Sequence, residues 1–169
     1  MARHFKRPED MWLKPDPRFQ DKVLSKFINC VMMGGEKATA QRCVYGALDA
    51  IQARIEKEKA EGDNMPRSSI ELFHLALENV RPAVEVRSKR VGGANYQVPM
   101  QLNKRRQQSL SFRWLIGAAR DEKGRPMHLR LAKELWDAAK NEGKAVTTKE
   151  NTHRMADAKR TTAGSVVVV

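Results

Sequence analysis

The spacing of the apolar residues changes once along this chain, and that change is the strongest constraint on its fold. Between residues 19 and 160, but outside residues 84–101, apolar side chains recur every three or four positions, which is typical of helices that bury one face. Within residues 84–101 they alternate from one residue to the next, and Gly92-Gly93 divides the stretch in two. The sequence therefore predicts a mainly α fold: a six-helix domain with a protruding two-stranded β-hairpin between the third and fourth helices.

Local signals predict where these helices begin and end. Two capping boxes, Ser68 with Glu71 and Thr147 with Glu150, are expected to open the third and sixth helices. The other boundaries follow from turn and capping residues, namely Gly34-Gly35 after the first helix, Pro82 after the third, Asn103 before the fourth, Pro126 at the first position of the fifth and Lys159 near the end of the sixth. The fifth helix is expected to turn Leu129 toward the core, together with Trp136.

The two ends of the chain lack the helical pattern. Residues 1–18 are basic and contain three prolines, so we expect an extended arm. Residues 19–160 form the helical domain, and residues 161–169 are expected to be a flexible tail. No stretch approaches the roughly 20 apolar residues of a membrane span, and the start of the chain has no apolar core of a secretion signal.

Positive charge is concentrated around the predicted hairpin. The chain carries a net charge of +12, and residues 81–106 hold seven Lys or Arg residues against one carboxylate, Glu85, which is half of that excess. Lys104, Arg105 and Arg106 fall in the first turn of the fourth helix, where the helix dipole disfavours each cation by roughly 0.3–1 kcal/mol. Such a cluster, beside unpaired helix amides, is suited to binding phosphate. The charge pattern therefore indicates a nucleic-acid partner.

Two questions about this basic surface remain open: the role of Tyr96, and whether the partner is DNA or RNA. Tyr96 could stack on a base or pack across the hairpin. A DNA-binding regulator would use residues 105–108 of the fourth helix as a recognition helix, but it needs a helix and a short turn before that helix, where this sequence has a hairpin. Cations on the arm, the hairpin and the helix start together favour an RNA surface that is recognised by shape.

The sequence gives little support to an enzyme or a metal protein. It contains no phosphate-binding loop, nucleophile elbow or zinc-ligand motif, so we expect no catalytic residues, no metal and no cofactor. Cys30 and Cys43 are expected to be buried free thiols. The four histidines, His4, His74, His128 and His153, are scattered; His74 is expected to be a packing residue of the third helix, and His128 and His153 are expected at the surface. Trp114 and Trp136 are expected in the core.

Several longer runs carry a resemblance to a known family. The run R-P-A-V-E-V-R-S-K-R-V-G-G-A-N-Y-Q-V-P-M (81–100), followed by R-R-Q-Q-S-L-S-F-R-W-L (105–115), resembles the hallmark segment of the bacterial-type small-subunit ribosomal protein seven family. Shorter matches are K-F-I-N (26–29), V-Y-G-A-L (44–48), A-L-E-N-V (76–80), L-A-K-E-L-W-D-A-A (131–139) and H-R-M-A-D-A (153–158). The resemblance covers roughly residues 13–160, and the family has the same six helices and hairpin.

The resemblance implies a structural role in the small ribosomal subunit. Members of the family bind the 3′ major domain of the small-subunit ribosomal RNA, help to assemble the head, and lie near the exit site, beside messenger RNA, exit-site transfer RNA and neighbouring ribosomal proteins. The implied location is cytoplasmic and ribosome-bound, with an organellar ribosome as the alternative. The implied rRNA-binding residues are Arg3, Lys6, Arg7, Lys14, Lys26, Asn29, Lys37, Arg87, Lys89, Arg90, Lys104, Arg105, Arg106 and Arg113. The hairpin residues implied to approach mRNA and tRNA are Gly92, Gly93, Ala94, Asn95 and Tyr96.

Two segments depart from the family pattern. The chain ends in T-T-A-G-S-V-V-V-V, where the family commonly ends in an aromatic and basic tail. Contacts that the family makes through its tail are therefore not expected in the same form here. The loop at residues 56–67 is also longer than is usual in the family.

Overall fold

A computed structural model describes residues 13–58, 66, 68–91 and 93–163 of the chain. Its elements are α1 (Lys22–Val31), α2 (Lys37–Glu58), α3 (Ser69–Val80), β1 (Val84–Val91), β2 (Ala94–Gln101), α4 (Lys104–Asp121), α5 (Met127–Ala139) and α6 (Lys144–Ala163). The predicted fold class, with the hairpin between α3 and α4, is confirmed. Most of the predicted loop at 56–67 and of the tail, and the first twelve residues of the arm, lie outside the described residues. No described helix has both the length and the apolar character of a membrane span.

Helix α5 lies at the centre of the helical domain, where it contacts α2, α3, α4 and α6. Leu131 and Ala138 are fully buried, and Leu135 and Trp136 are each 1% exposed. Burying a large apolar side chain contributes roughly 1.5–3 kcal/mol, so this helix supplies much of the stability of the domain. Trp136 and the partly buried Trp114 both belong to the core, as expected.

A cluster of aromatic rings joins α1 to the rest of the core. Phe27 of α1 meets Phe73 of α3 at a centroid distance of 5.2 Å and Phe112 of α4 at 5.3 Å, both in edge-to-face geometry. All three rings are buried. Aromatic pairs in this geometry contribute about 0.5–1.5 kcal/mol beyond the area that they bury. Helix α1 is therefore fixed against α3 and α4 at one point near its middle.

Ser68 is the N-cap of α3, as predicted, but its side chain makes no capping hydrogen bond, and the second predicted capping box is wrong. The Ser69 N–H, in the first turn of α3, donates to Oε1 of Gln52 on α2, at 3.1 Å. Helix α6 begins at Lys144, so Thr147 lies inside it and donates its hydroxyl to the Gly143 carbonyl. The Asn103 cap is confirmed, because its Oδ1 accepts from the Arg106 N–H at 2.9 Å.

The start of α6 is capped by a side chain from α5. Glu134 is only 7% exposed, and its Oε1 accepts from the Ala145 N–H at 2.8 Å. Burial raises the pKa of the Glu134 carboxyl above its ordinary value, and this hydrogen bond offsets part of the effect. Gly143 has a φ of +94°, and a Cβ there would lie 3.1 Å from Glu134 Oε1. Glycine is therefore required at the turn between α5 and α6.

The fifth and sixth helices differ from the sequence prediction in three details. Pro126 is the N-cap of α5 and precedes its first residue, Met127. Leu129 is 41% exposed, because the preceding residue, His128, is the one that lies over Gly46 of α2. The next position on a helix points about 100° away. Helix α6 runs beyond Lys159, to Ala163.

The hairpin is held at its base and exposed toward its tip. Its strands pair antiparallel from Val84 opposite Gln101 to Val91 opposite Ala94, and α6 contacts both strands. At the base, the Ala83 N–H donates to Nε2 of His153 on α6, and the Ala83 carbonyl accepts from the Leu102 N–H, each at 3.1 Å. His153 is thus half-buried and bonded to the start of the hairpin. Toward the tip, Lys89, Arg90 and Tyr96 are all exposed.

Removing the Glu134 cap should destabilise the fold. In Glu134→Ala, the buried Ala145 N–H loses its acceptor, which should lower the free energy of unfolding by about 1–2 kcal/mol. Urea unfolding at neutral pH, followed by circular dichroism, measures this. Glu134→Gln is the matched control, since its amide oxygen can still accept, and it should stay within about 1 kcal/mol of the parent. An alanine variant with the same urea midpoint as the parent would contradict the assignment of this cap.

Candidate nucleic-acid interface

The hairpin and α4 meet at one corner of the protein, where most of the predicted cations converge. Helix α4 begins three residues after β2 ends. The Asn103 cap and a hydrogen bond from Gln107 Nε2 to the Leu102 carbonyl, at 3.3 Å, fix the direction of its first turn. Arg106 is thereby placed beside β1. The expectation that Lys104, Arg105 and Arg106 occupy the first turn of the fourth helix is confirmed.

The only carboxylate in this basic segment, Glu85, is buried on β1 and is hydrogen-bonded to the first turn of α4. Glu85 is 7% exposed, its Oε2 accepts from Nε of Arg106 at 3.0 Å, and its Oε1 accepts from Nε of Arg87. Burial alone raises the pKa of Glu85, but the hydrogen bonds from Arg106 and Arg87 outweigh it and hold the pKa below its ordinary value. Glu85 is therefore ionised at neutral pH, and it links the two elements through charge-assisted hydrogen bonds.

The other cations near this corner are exposed. Lys89 and Arg90 are exposed along the outer part of β1, Lys104 at the start of α4 and Arg113 two turns further along it. Because side chains alternate along a strand, Lys89 shares a face with Arg87, and Arg90 projects from the opposite face. Tyr96 is paired with Lys89 and is 44% exposed. The hairpin thus presents cations on both faces.

The structure brings together only part of the residue set that the sequence suggested. Lys26 and Asn29 are half-buried on α1, which contacts α4 but neither strand. Lys37 is exposed at the start of α2, which contacts neither the hairpin, α4 nor α6 among the described elements. Lys37 therefore lies apart from the cluster. Arg3, Lys6 and Arg7 lie outside the described residues, as do Gly92 and the side chains of Ala94 and Asn95.

The last residues of the arm are attached to α2. Asp16 is 1% exposed and accepts from the Tyr45 hydroxyl at 2.7 Å, while Arg18 pairs with Asp49. Burial, and then the hydrogen bond to Asp16, raise the pKa of Tyr45 to about 12. Lys14 precedes this turn and is exposed. Lys14 is therefore close in sequence to residues that are bonded to α2.

The histidines and cysteines in the described residues form no metal-binding group. His74 of α3 is exposed, pairs with Asp21, the residue that caps α1, and has its ring edge-on to that of Phe73 at a centroid distance of 5.5 Å. Cys30 is exposed and Cys43 half-exposed, which corrects the expectation of buried thiols. Desolvation raises the pKa of both thiols. In the described part of the chain, no three His, Cys, Asp or Glu residues are placed to hold a metal ion.

The Glu85 ion pairs should make stability depend on pH. Since the pKa of Glu85 is lowered in the folded state, its contribution is present above the unfolded value of about 4.3 and is lost as the pH falls through the folded value. At pH 7, Glu85→Gln should therefore be less stable than the parent by about 1–2 kcal/mol. The difference should shrink on acidification below about pH 4. Urea unfolding of both proteins across this range is the measurement, and a difference that stays constant with pH would refute this role of the carboxylate.

Comparison with known proteins identifies the family. A sequence profile described as Ribosomal protein S7p/S5e matches residues 3–160. The small ribosomal subunit protein uS7 of Rhodopirellula baltica is 58% identical over 145 residues, which cover 86% of this chain and 87% of the relative. The proteins of that name from Sphingopyxis alaskensis and Brucella melitensis are 51% and 49% identical over 160 residues, 95% of this chain and 96% of each relative. The chain therefore belongs to the Ribosomal protein S7p/S5e family.

Proposed function

We propose that this protein is a structural constituent of the small ribosomal subunit, which binds the RNA of that subunit and has no catalytic activity. The observation that carries the proposal is identity of 49–58% over most of the chain to proteins named for that subunit. The basic corner formed by the hairpin and α4 supplies the physical means. A protein with a net charge of +12 binds a polyanion with release of counterions, and ribosomal RNA is such a partner.

The proposed contacts fall into two groups. Lys104 and Arg113 of α4 bind the phosphates of the 3′ major domain of the RNA beside the hairpin base, together with Arg87, Arg105 and Arg106. Toward the tip, Lys89, Arg90 and Tyr96 extend the surface away from the helical domain, as their exposure allows. We assign this outer part, with Gly92, Gly93, Ala94 and Asn95, to the vicinity of messenger RNA and exit-site transfer RNA. Binding by the inner part orders the RNA and so assists assembly of the head.

The DNA-regulator alternative receives no support from the geometry of α4. Of the residues 105–108 that a recognition helix would use, Arg106 is bonded to Glu85 and Gln107 to the Leu102 carbonyl. The element that precedes α4 is a strand of the hairpin, so the helix and tight turn of a helix-turn-helix are absent from this place in the described chain. The arrangement favours RNA as the partner.

Charge reversal on α4 tests the proposed phosphate contacts. The double variant Lys104→Glu, Arg113→Glu should bind a fragment of the 3′ major domain at least tenfold more weakly at about 0.1 M salt. The slope of log affinity against log salt should fall by about two. Fluorescence anisotropy over a salt series provides both quantities.

A second double variant with the same change in net charge tests whether RNA binding depends on this surface or on the overall charge of the protein. Arg42 and Lys57 are exposed cations on α2, which contacts neither the hairpin nor α4 among the described elements. Arg42→Glu, Lys57→Glu changes the net charge by the same amount, and it should leave most of the affinity intact. Equal losses in the two double variants would show that binding follows overall charge and would refute the proposed surface.

Shortening the hairpin tests the assignment of its outer part. Replacing residues 88–97 by an Asn-Gly turn keeps the Arg87 and Val98 pair and the base that contacts α6. The helical domain should keep its melting temperature within a few degrees, because the removed side chains are mostly exposed. Subunits reconstituted with this variant should still form a head, but chemical footprinting should show reduced protection of exit-site transfer RNA. Unchanged protection would exclude the assignment of the tip.

A further inference from the structure

We infer that Glu85 is a positioning residue of the RNA-binding surface, which orients Arg87 and Arg106 so that both guanidinium groups face the phosphates of the bound RNA together. The inference rests on the proposed function, because it assigns a role within that same surface. It concerns a carboxylate that neither the charge pattern nor the comparisons with relatives assign to binding. A negative charge so close to a polyanion needs a specific reason to be there.

The hydrogen-bond geometry supplies that reason. Both arginines reach Glu85 through Nε, the inner nitrogen of the guanidinium group. Neither of these two bonds uses a terminal amino group, and the side chains remain 54% and 35% exposed. A guanidinium group has five N–H donors, so each arginine keeps the donors of its outer edge for a phosphate. Glu85 therefore holds the two groups without occupying the donors that face solvent.

The position of Glu85 in the fold makes this arrangement rigid. The carboxylate is on β1 and 7% exposed, and it bonds one arginine of its own strand and one of α4. Free arginine side chains sample many rotamers, and ordering them on binding opposes association. Fixing both side chains in advance removes part of that penalty. It also joins β1 to the first turn of α4, the two elements that carry these arginines.

A positioning role and a purely electrostatic role of Glu85 predict opposite changes in RNA affinity for the same substitution. Glu85→Gln removes a negative charge beside the RNA, so electrostatics alone predicts tighter binding. If Glu85 acts by positioning, the variant should bind more weakly despite the added positive charge. Glu78→Gln is the matched control: Glu78 is an exposed carboxylate on α3, which contacts neither strand among the described elements. Its loss should leave affinity unchanged or raise it slightly.

The experiment measures the affinity of the full chain for a fragment of the 3′ major domain across a salt series. It compares three proteins: the parent, Glu85→Gln and Glu78→Gln. We expect Glu85→Gln to bind the fragment roughly three- to tenfold more weakly than the parent. The melting temperature of the variant should stay well above the temperature of the binding assay, so the variant is folded when its affinity is measured. In nitrogen-15 spectra, the Nε–H signals of Arg87 and Arg106 should be protected from solvent exchange in the parent and lose that protection in the variant. A merely structural role for Glu85 would not combine these two changes in a folded protein.

Two lysine variants keep the test decisive if Glu85→Gln fails to fold. Arg87→Lys and Arg106→Lys retain the charge but lose the forked donor set, so each should also weaken binding several-fold. Parent-like affinity in both would overturn the positioning role, and so would a folded Glu85→Gln that binds as tightly as the parent or more tightly. If the parent itself shows no salt-dependent binding to the fragment, the proposed function fails, and this inference fails with it.

Discussion

The burial of α5 among four other helices is the constraint on which the remaining structure depends. Because α2, α3, α4 and α6 all contact it, each must lie with an apolar stripe against the same central helix. The end of α3 is also joined by polar contacts to α5 and α6. The Asn79 side chain donates to the carbonyls of Ala138 and Ala139, and Lys149 donates to the Asn79 carbonyl. The hairpin is inserted between α3 and α4, so its direction is fixed by helices that α5 has already placed.

The features that could be predicted from sequence are those set by local or periodic chemistry. Six helical stripes and one alternating segment are sufficient to define the element order, and Asn103 caps α4 from within its own turn. The errors arise where a distant residue takes over a local role. Gln52 of α2 accepts a hydrogen bond from the first turn of α3, where the Ser68 side chain makes none, and Glu134 caps α6, which begins three residues before the predicted start at Thr147. A capping motif shows that a side chain can bond locally, but not that it must.

In the candidate site, too, the local features could be predicted from the sequence and the contacts between distant residues could not. The density of cations between residues 81 and 106 is visible in the sequence, and the structure places the start of α4 beside the hairpin. The partners of individual arginines could not be predicted, because β1 and α4 are brought together only by the fold. One signal was present nonetheless: Glu85 is a single carboxylate among seven cations. An isolated residue of opposite charge within such a segment points to an internal ion pair, since a solvated surface would mix the signs.

The attachment of the hairpin base to two helices has a mechanical consequence. Ala83 is bonded to His153 of α6 and Glu85 to Arg106 of α4, while the tip extends beyond these contacts. A two-stranded ribbon attached to one helix would swing about that single contact. Attached to two helices, it is a stiffer support than a ribbon held at one point. A force applied to the tip is therefore transmitted to both α4 and α6 and not absorbed by rotation about a single contact.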